Sequence, residues 1–216
     1  ELSYSDPLYD FDSNARSTVQ LLDLCLKRSP SAHFIYASSM SVYGASGEFP
    51  KNESMGKDGR NFYAIGKKTS EEYLNAYSIL GLSTTSLRLF NMYGPGQNLS
   101  NLSQGMLSIY LAQALAGVDV VVKGSLNRSR DFFYIGDFLK VIDGLECNPR
   151  AYGEVINVCS GIETTVEELI NMISLALSKH LKIVESPGTP GDIPRMIGSA
   201  DKLLTLLPRP VSYTHL

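Results

Sequence analysis

Short apolar runs of strand length alternate with amphipathic stretches of helix length from residue 13 to residue 184, which confines the chain to a mostly parallel sheet with helices on both faces. Ala15, Val19, Leu22 and Leu26 recur at helical spacing across Ser13–Lys27, with Asp12 or Ser13 placed to cap the start and Pro30 beyond the end. His33–Ala37 (HFIYA) has the continuous apolar character of a strand buried on both faces, and it empties into Ser38, Ser39, Met40 and Ser41. Phe62–Leu80 reads as a second helix closed by Gly81, and Thr84–Phe90 (TTSLRLF) as the next strand, with Gly94, Pro95 and Gly96 turning the chain after it. Further along come a helix at Gln104–Ala116, a strand at Val118–Lys123, a helix at Phe138–Leu145 and a strand at Glu154–Cys159. Thr165 and Glu168 have capping-box spacing ahead of Leu169, Met172, Ile173 and Leu177, and Leu181–Val184 reads as a last strand. Ligands of such sheets bind outside the carboxyl ends of the strands, so the residues that follow each strand carry the functional argument.

Composition removes several function classes. The 216 residues are 44% hydrophobic, enough for a sizeable core, and 19 basic against 22 acidic side chains leave no basic field to attract nucleic acid. The longest uncharged stretch, Asn91–Val118, is broken by Gly, Pro, Asn, Gln and Ser and lacks the roughly 20 apolar residues of a membrane span. Cys25, Cys147 and Cys159 are scattered, and His33, His180 and His215 have no metal-ligand spacing; a reducing cytoplasm and no metal are expected. Glu1 begins no signal segment, so the N-terminus is expected to be internal to a longer chain. Residues 208–216 have no period and are set aside as a non-native tail.

One strand end and the helix after it carry polar chemistry. The hydroxyls of Ser38, Ser39 and Ser41 can bond a substrate oxygen or a cofactor, although Ser and Gly favour such turns for backbone reasons alone. Tyr63 and Lys67 stand four apart and therefore share one helix face, where an ammonium favours the phenolate by about 1–3 pKa units. Tyrosines and lysines are frequent enough here that a single pair at this spacing carries little weight.

Order supplies the weight. The serine strand end, then Tyr63 and Lys67 opening the next helix, then Leu87-Arg88-Leu89-Phe90-Asn91-Met92-Tyr93-Gly94-Pro95-Gly96-Gln97 resemble the extended short-chain dehydrogenase/reductases, and among them the NAD-dependent nucleotide-sugar epimerases and dehydratases. Asn14 before an apolar helix, Arg130-Asp131-Phe132, Asn157-Val158-Cys159-Ser160-Gly161 and Gly191-Asp192-Ile193-Pro194-Arg195 extend the resemblance over residues 8–206.

The resemblance implies an α/β fold: a Rossmann-like parallel sheet with its first strands missing, and a smaller C-terminal α/β lobe for substrate. Residues 1–98 and 130–161 would belong to the NAD-binding domain, and 99–129 and 162–207 to the substrate lobe. It implies Ser39, Tyr63 and Lys67 as the catalytic set. Tyr63 would act on the sugar 4-hydroxyl, while Lys67 would hold the nicotinamide ribose and lower the Tyr63 pKa. Asn14, Ser38 and Phe90 would join Tyr63 and Lys67 at the cofactor NAD; Ser39, Ser41, Asn91, Arg130 and Arg195 would meet a nucleotide sugar, the arginines at its diphosphate. A homodimer is expected for the full-length form.

The family's Gly-x-Gly-x-x-Gly phosphate loop is absent, so an upstream segment is expected to carry it and this chain alone is expected to be inactive. Met40 and Ser41 stand where the dehydratases and decarboxylases of the family hold acids, which favours epimerisation of a UDP-hexose through a 4-keto sugar. The alternatives are another epimerase, a dehydratase or a reductase of the same family, and a non-catalytic nucleotide-binding relative, against which the intact Ser39, Tyr63 and Lys67 speak. The identity of base and sugar would depend on the pocket around Leu99–Ser108 and Val120–Lys123.

Overall fold

A computed structural model of the chain describes residues 2–45, 47–102, 105–188 and 193–207. Short helices α1 (Leu2–Ser5) and α2 (Pro7–Phe11) lead through a π-helical turn, Asp12–Arg16, into α3 (Ser17–Arg28). Then follow β1 (His33–Ser39), a 3₁₀ turn (Met40–Tyr43), α4 (Phe62–Ile79), β2 (Ser83–Leu89), β3 (Asn91–Tyr93), α5 (Met106–Ala116), β4 (Val120–Lys123), β5 (Ser129–Arg130) and β6 (Phe132–Tyr134). The chain continues through α6 (Ile135–Glu146), β7 (Glu154–Val158), β8 (Thr164–Thr165), α7 (Val166–Leu177), β9 (Ile183–Ser186), β10 (Arg195–Met196) and α8 (Asp201–Leu206). No helix among the described residues is long and apolar enough to cross a membrane.

Strands β1, β2 and β7 form one parallel sheet with β2 in the centre. The five middle residues of β2 are buried, as expected of a strand covered on both faces. One face packs Leu22, Tyr36, Leu74 and Leu82 beneath α3 and α4; the other packs Leu87, Phe133, Val141, Leu145, Ile156 and Leu203 beneath α6 and α8. Pairing places Ser39, Leu89 and Val158 on one row, so the chain leaves the sheet at the same level three times. A separate core joins Tyr110 and Ala114 of α5, Val120 and Val122 of β4 and Leu169, Ile170 and Ile173 of α7. Parallel β4 and β9 lie in this part, and the short strands β10, β5 and β8 make a small mixed sheet.

The expected alternation is present, with informative shifts. Neither Asp12 nor Ser13 caps a helix start: Asp6 caps α2 by accepting from Tyr9 N at 2.9 Å, and both residues lie in the π turn. The first strand continues to Ser39, and α6 begins at Ile135 with no loop after β6. The Thr165/Glu168 capping box forms as expected. Val120 and Val122 are fully buried in the second core, while Val121 and Lys123 face outward. Gln104, Gly191, Asp192 and the 208–216 tail lie outside the described residues.

Candidate active site at the strand ends

β1 delivers Ser39 to the edge of the sheet, where its Oγ caps the 3₁₀ turn by accepting from Ser41 N at 3.2 Å. α4 starts at a stop set by Asn61, whose side chain accepts from Ala64 N at 2.7 Å, so Tyr63 falls in the first turn and Lys67 one turn later. The Ser39 hydroxyl lies beside the Tyr63 phenol, close enough to act on its ionisation. Lys67 Nζ donates to Ala37 O at 2.8 Å and lies 5.5 Å from the centre of the Tyr63 ring and 4.8 Å from that of Tyr36. The three residues expected to act together are thus brought together. Tyr63 remains 37% exposed, open to a ligand.

The electrostatics correct one expectation. Burial pushes the Tyr63 phenol above its ordinary value, the Ser39 hydroxyl pulls it back, and the Asp10 carboxylate pushes it further up. Burial also lowers Lys67, with Asp10 working in the opposite direction. The chain's own groups therefore do not bring the phenol down, because Lys67 points its ammonium at a carbonyl and lies over the ring rather than at the hydroxyl.

Asn14 sits in the π turn and joins it to α4: its carbonyl accepts from Ser70 Oγ at 2.6 Å, and its Nδ2 donates to the backbone and side chain of Asp10. A Cβ at Gly66 would come within 3.2 Å of Asn14 Cβ, so the glycine permits this close approach. Two residues expected at the cofactor turn their side chains inward. Ser38 is 2% exposed and donates to Glu71 Oε1 at 2.6 Å, because neighbouring strand residues face opposite ways and Ser39 takes the site face. The Phe90 ring is 3% exposed in a core with Val42, Tyr43, Cys159 and Met196, where Gly198 packs against it.

Asn91 Nδ2 donates to Asp131 O at 3.0 Å and to the Met40 thioether at 3.6 Å, next to a cleft of about 300 Å³ lined by Met92, Tyr93, Pro95, Gln97 and Ile135. The Ser41 Oγ is buried with no hydrogen-bond partner among the described residues. Arg130 and Arg195 stand on paired strands, Met196 beside Arg130 and Arg195 beside Ser129. Arg130 is only 6% exposed and donates to Ser129 O at 2.8 Å. Arg195 is half-exposed and presents both arms of its fork to Glu163 at 2.7 Å each. Glu163 also accepts from Ser129 Oγ at 2.5 Å, and the Arg195 and Ser129 bonds hold its carboxyl below the ordinary value.

Three groups around the site were not singled out from sequence. Asp131 is fully buried and accepts from Ser160 N and Oγ, Gly161 N and Gly198 N, gathering three loops at the strand ends. Glu163 is the carboxylate partner of Arg195. Glu71 follows Lys67 by four residues, a spacing visible in the sequence, and Arg88 inside the apolar run TTSLRLF signals a buried counter-charge.

Residues 1–159 match the model of the NAD dependent epimerase/dehydratase family. The chain is 33% identical over 190 residues to the GDP-6-deoxy-D-mannose reductase of Pseudomonas aeruginosa, covering 86% of this chain and 62% of that protein. It is 29% identical over 196 residues to the UDP-glucose 4-epimerase of Mycolicibacterium smegmatis, covering 89% and 61%. The crystal structure of Thermus thermophilus UDP-glucose 4-epimerase in complex with NAD superposes with a TM-score of 0.84 at 26% identity, over 94% of this chain and 67% of that one. This chain spans about half to three fifths of the length of the curated relatives it matches. With its parallel sheet, its row of strand ends and the Ser39, Tyr63 and Lys67 cluster, the chain belongs to the NAD-dependent epimerase/dehydratase family.

Proposed function

We propose that the protein is an NAD-dependent nucleotide-sugar 4-epimerase acting on a UDP-hexose. The observation that carries this reading is the meeting of Ser39, Tyr63 and Lys67 beside Met40, whose thioether occupies the place after the active serine and contacts Asn91. The UDP-glucose 4-epimerases among the relatives support the same reading.

The residues fit the cofactor chemically. Lys67 has three donors, of which Ala37 O takes one, and the half-exposed Tyr63 phenol can both donate and accept. Tyr63 and Lys67 would hold the nicotinamide ribose. When bound, NAD would supply the hydride chemistry, as acceptor and then as donor. The chain's own part is to hold and move a proton: Tyr63 Oη, in the phenolate form that the positive charge of bound NAD would favour, would accept the proton of the sugar 4-hydroxyl and give it back, while Ser39 Oγ would hydrogen-bond the same oxygen in both directions. Asn91 orients the sugar, and Arg195 exchanges its Glu163 partner for diphosphate oxygens, to which its planar fork is matched. With Met40 and Ser41 following Ser39, no carboxylate stands at those positions to drive loss of water from a 4-keto sugar, so return to an alcohol is the available exit.

The test is chromatography of products from UDP-glucose and NAD, with the protein carrying its native termini. UDP-galactose without net NADH use is expected. A 4-keto-6-deoxy sugar, a pentose or stoichiometric NADH consumption would overturn the assignment. The 33% identity to a GDP-6-deoxy-D-mannose reductase favours one second reading, a reductase of 4-keto sugars, which would consume reduced nicotinamide in equal amount with a keto substrate.

A further inference from the structure

One buried side chain gathers charge and hydrogen bonds that the proposed chemistry does not use. Glu71 follows Tyr63 by eight residues and Lys67 by four, so all three lie on one face of α4. It is 4% exposed. Its Oε1 accepts from Ser38 Oγ at 2.6 Å and from Arg88 Nε at 3.0 Å, and its Oε2 accepts from Arg88 Nη2 at 2.8 Å. Arg88, 3% exposed in the central strand, lies 4.6 Å from the centre of the Tyr43 ring, and its Nη1 is buried with no hydrogen-bond partner among the described residues. Lys57, on the loop before α4, reaches Glu71 Oε2 at 3.6 Å. Burial alone would raise the Glu71 carboxyl, yet the Arg88 and Ser38 bonds prevail and hold it below its ordinary value.

A buried ion pair of this kind adds little stability over an apolar pair of the same volume. What it adds is direction, because a bidentate fork and a third hydrogen bond admit one rotation of the helix and an apolar contact admits many. Two successive residues of β1 are joined to α4, the Ala37 carbonyl to Lys67 and the Ser38 hydroxyl to Glu71, and the next, Ser39, lies beside Tyr63. Of these links, the one at Glu71 is buried and reaches the central strand as well.

We propose that Glu71, held by Ser38 and Arg88, is the positioning residue that fixes the rotation and height of α4 against β1 and so sets where the Tyr63 phenol meets Ser39. The importance of that meeting rests on the reading of Tyr63 as the acid–base group, but its geometry can be observed without turnover.

The experiment is an NMR titration of ¹³Cζ-labelled tyrosine in this chain, with Tyr63 assigned by Tyr63→Phe. Three variants are compared: Ser38→Ala, Glu71→Gln and the charge-free pair Glu71→Leu with Arg88→Met. Loosening α4 hydrates Tyr63, and burial is the dominant cause of its raised value. Its midpoint is therefore expected to fall by about half a pH unit or more in all three variants, with far-UV circular dichroism unchanged. Ser38→Ala keeps both charges, so a shift there reports position and not the lost field of Glu71. The charge-free pair should regain the melting temperature lost in Glu71→Gln without regaining the Tyr63 midpoint. A Tyr63 midpoint equal to the parent's in Ser38→Ala and in the charge-free pair overturns the proposal, and these two variants decide the matter even if Glu71→Gln does not fold. Full activity in Tyr63→Phe would instead overturn the acid–base reading and leave this geometric result intact.

Discussion

Lys67 donates to the carbonyl of Ala37 at 2.8 Å and so ties the Tyr63 face of α4 to β1, one residue before Ser38. The ammonium is therefore directed at the backbone, and the state of the Tyr63 phenol is set by burial, Ser39 and Asp10. In the nucleotide-free chain Tyr63 should titrate above 10. Asp10→Asn should lower that midpoint and Lys67→Met should move it little, as read by NMR of the labelled phenol. A midpoint below 10 in the parent would contradict the electrostatics described.

Alkaline stability follows from the same physics. Burial raises Tyr36, Tyr43 and Tyr93 to about 12 each. A folded-state value above the unfolded one means that the native chain keeps a proton the unfolded chain has lost, so this stability is full below pH 10 and is lost between 10 and 12. The lowered values of Lys51 and Lys67 act the other way and add stability as pH rises toward 10.5. Stability read from urea unfolding by circular dichroism should accordingly hold up to pH 10 and fall steeply beyond it, by at most about 3 kcal/mol for a fully buried phenol.

Asp131→Asn should be costly although it removes no volume. One carboxylate oxygen accepts from Ser160 N and Oγ and the other from Gly161 N and Gly198 N. Whichever way an amide is turned, its NH₂ faces donors. Each orphaned buried donor costs about 1–3 kcal/mol, so unfolding in urea should show a loss on the order of 2–5 kcal/mol.

The two arginines should separate under mutation. Arg195→Ala, at a half-exposed site, should raise KM with kcat little changed and the melting temperature nearly unaltered, since a diphosphate contact is made equally in ground and transition states. Arg130→Ala should lower the melting temperature as well, because its guanidinium is buried in the small sheet. Steady-state kinetics and thermal melts of both variants check this, with native termini present for the kinetics.

The long elements were legible because each has a period: the apolar spacing of α3, the buried run of β1, and the Thr165/Glu168 cap of α7. Two-residue strands such as β5, β8 and β10 have none, and their pairing depends on partners 30 or more residues away. Tyr63, Lys67 and Ser39 were legible as a set through their order along the chain. The orientation of Ser38 was not, for a definite reason: ending the first strand at Ala37 makes Ser38 and Ser39 equivalent turn residues. Pairing of Ser38 with Arg88 and Ser39 with Leu89 carries the strand through both and sends them to opposite faces. The burial of the Phe90 ring was hidden in a similar way, since a residue leaving a strand can turn its ring into the core while its backbone stays at the edge. The π turn holding Asn14 leaves no mark on apolar spacing, because the short helix before it buries no residue and so offers no pattern for the turn to shift.

The carboxylate of Asp131 closes loops of 29, 30 and 67 residues, to Ser160, Gly161 and Gly198. Contacts so distant in sequence reward the chain only after the entropy of loop closure has been met, so they form late. By contrast, the unit of β1, α4 and β2 is built from neighbours. During synthesis, which runs from the N-terminus, Ser39 and Tyr63 can meet while the residues that hold Arg195 in place have yet to leave the ribosome.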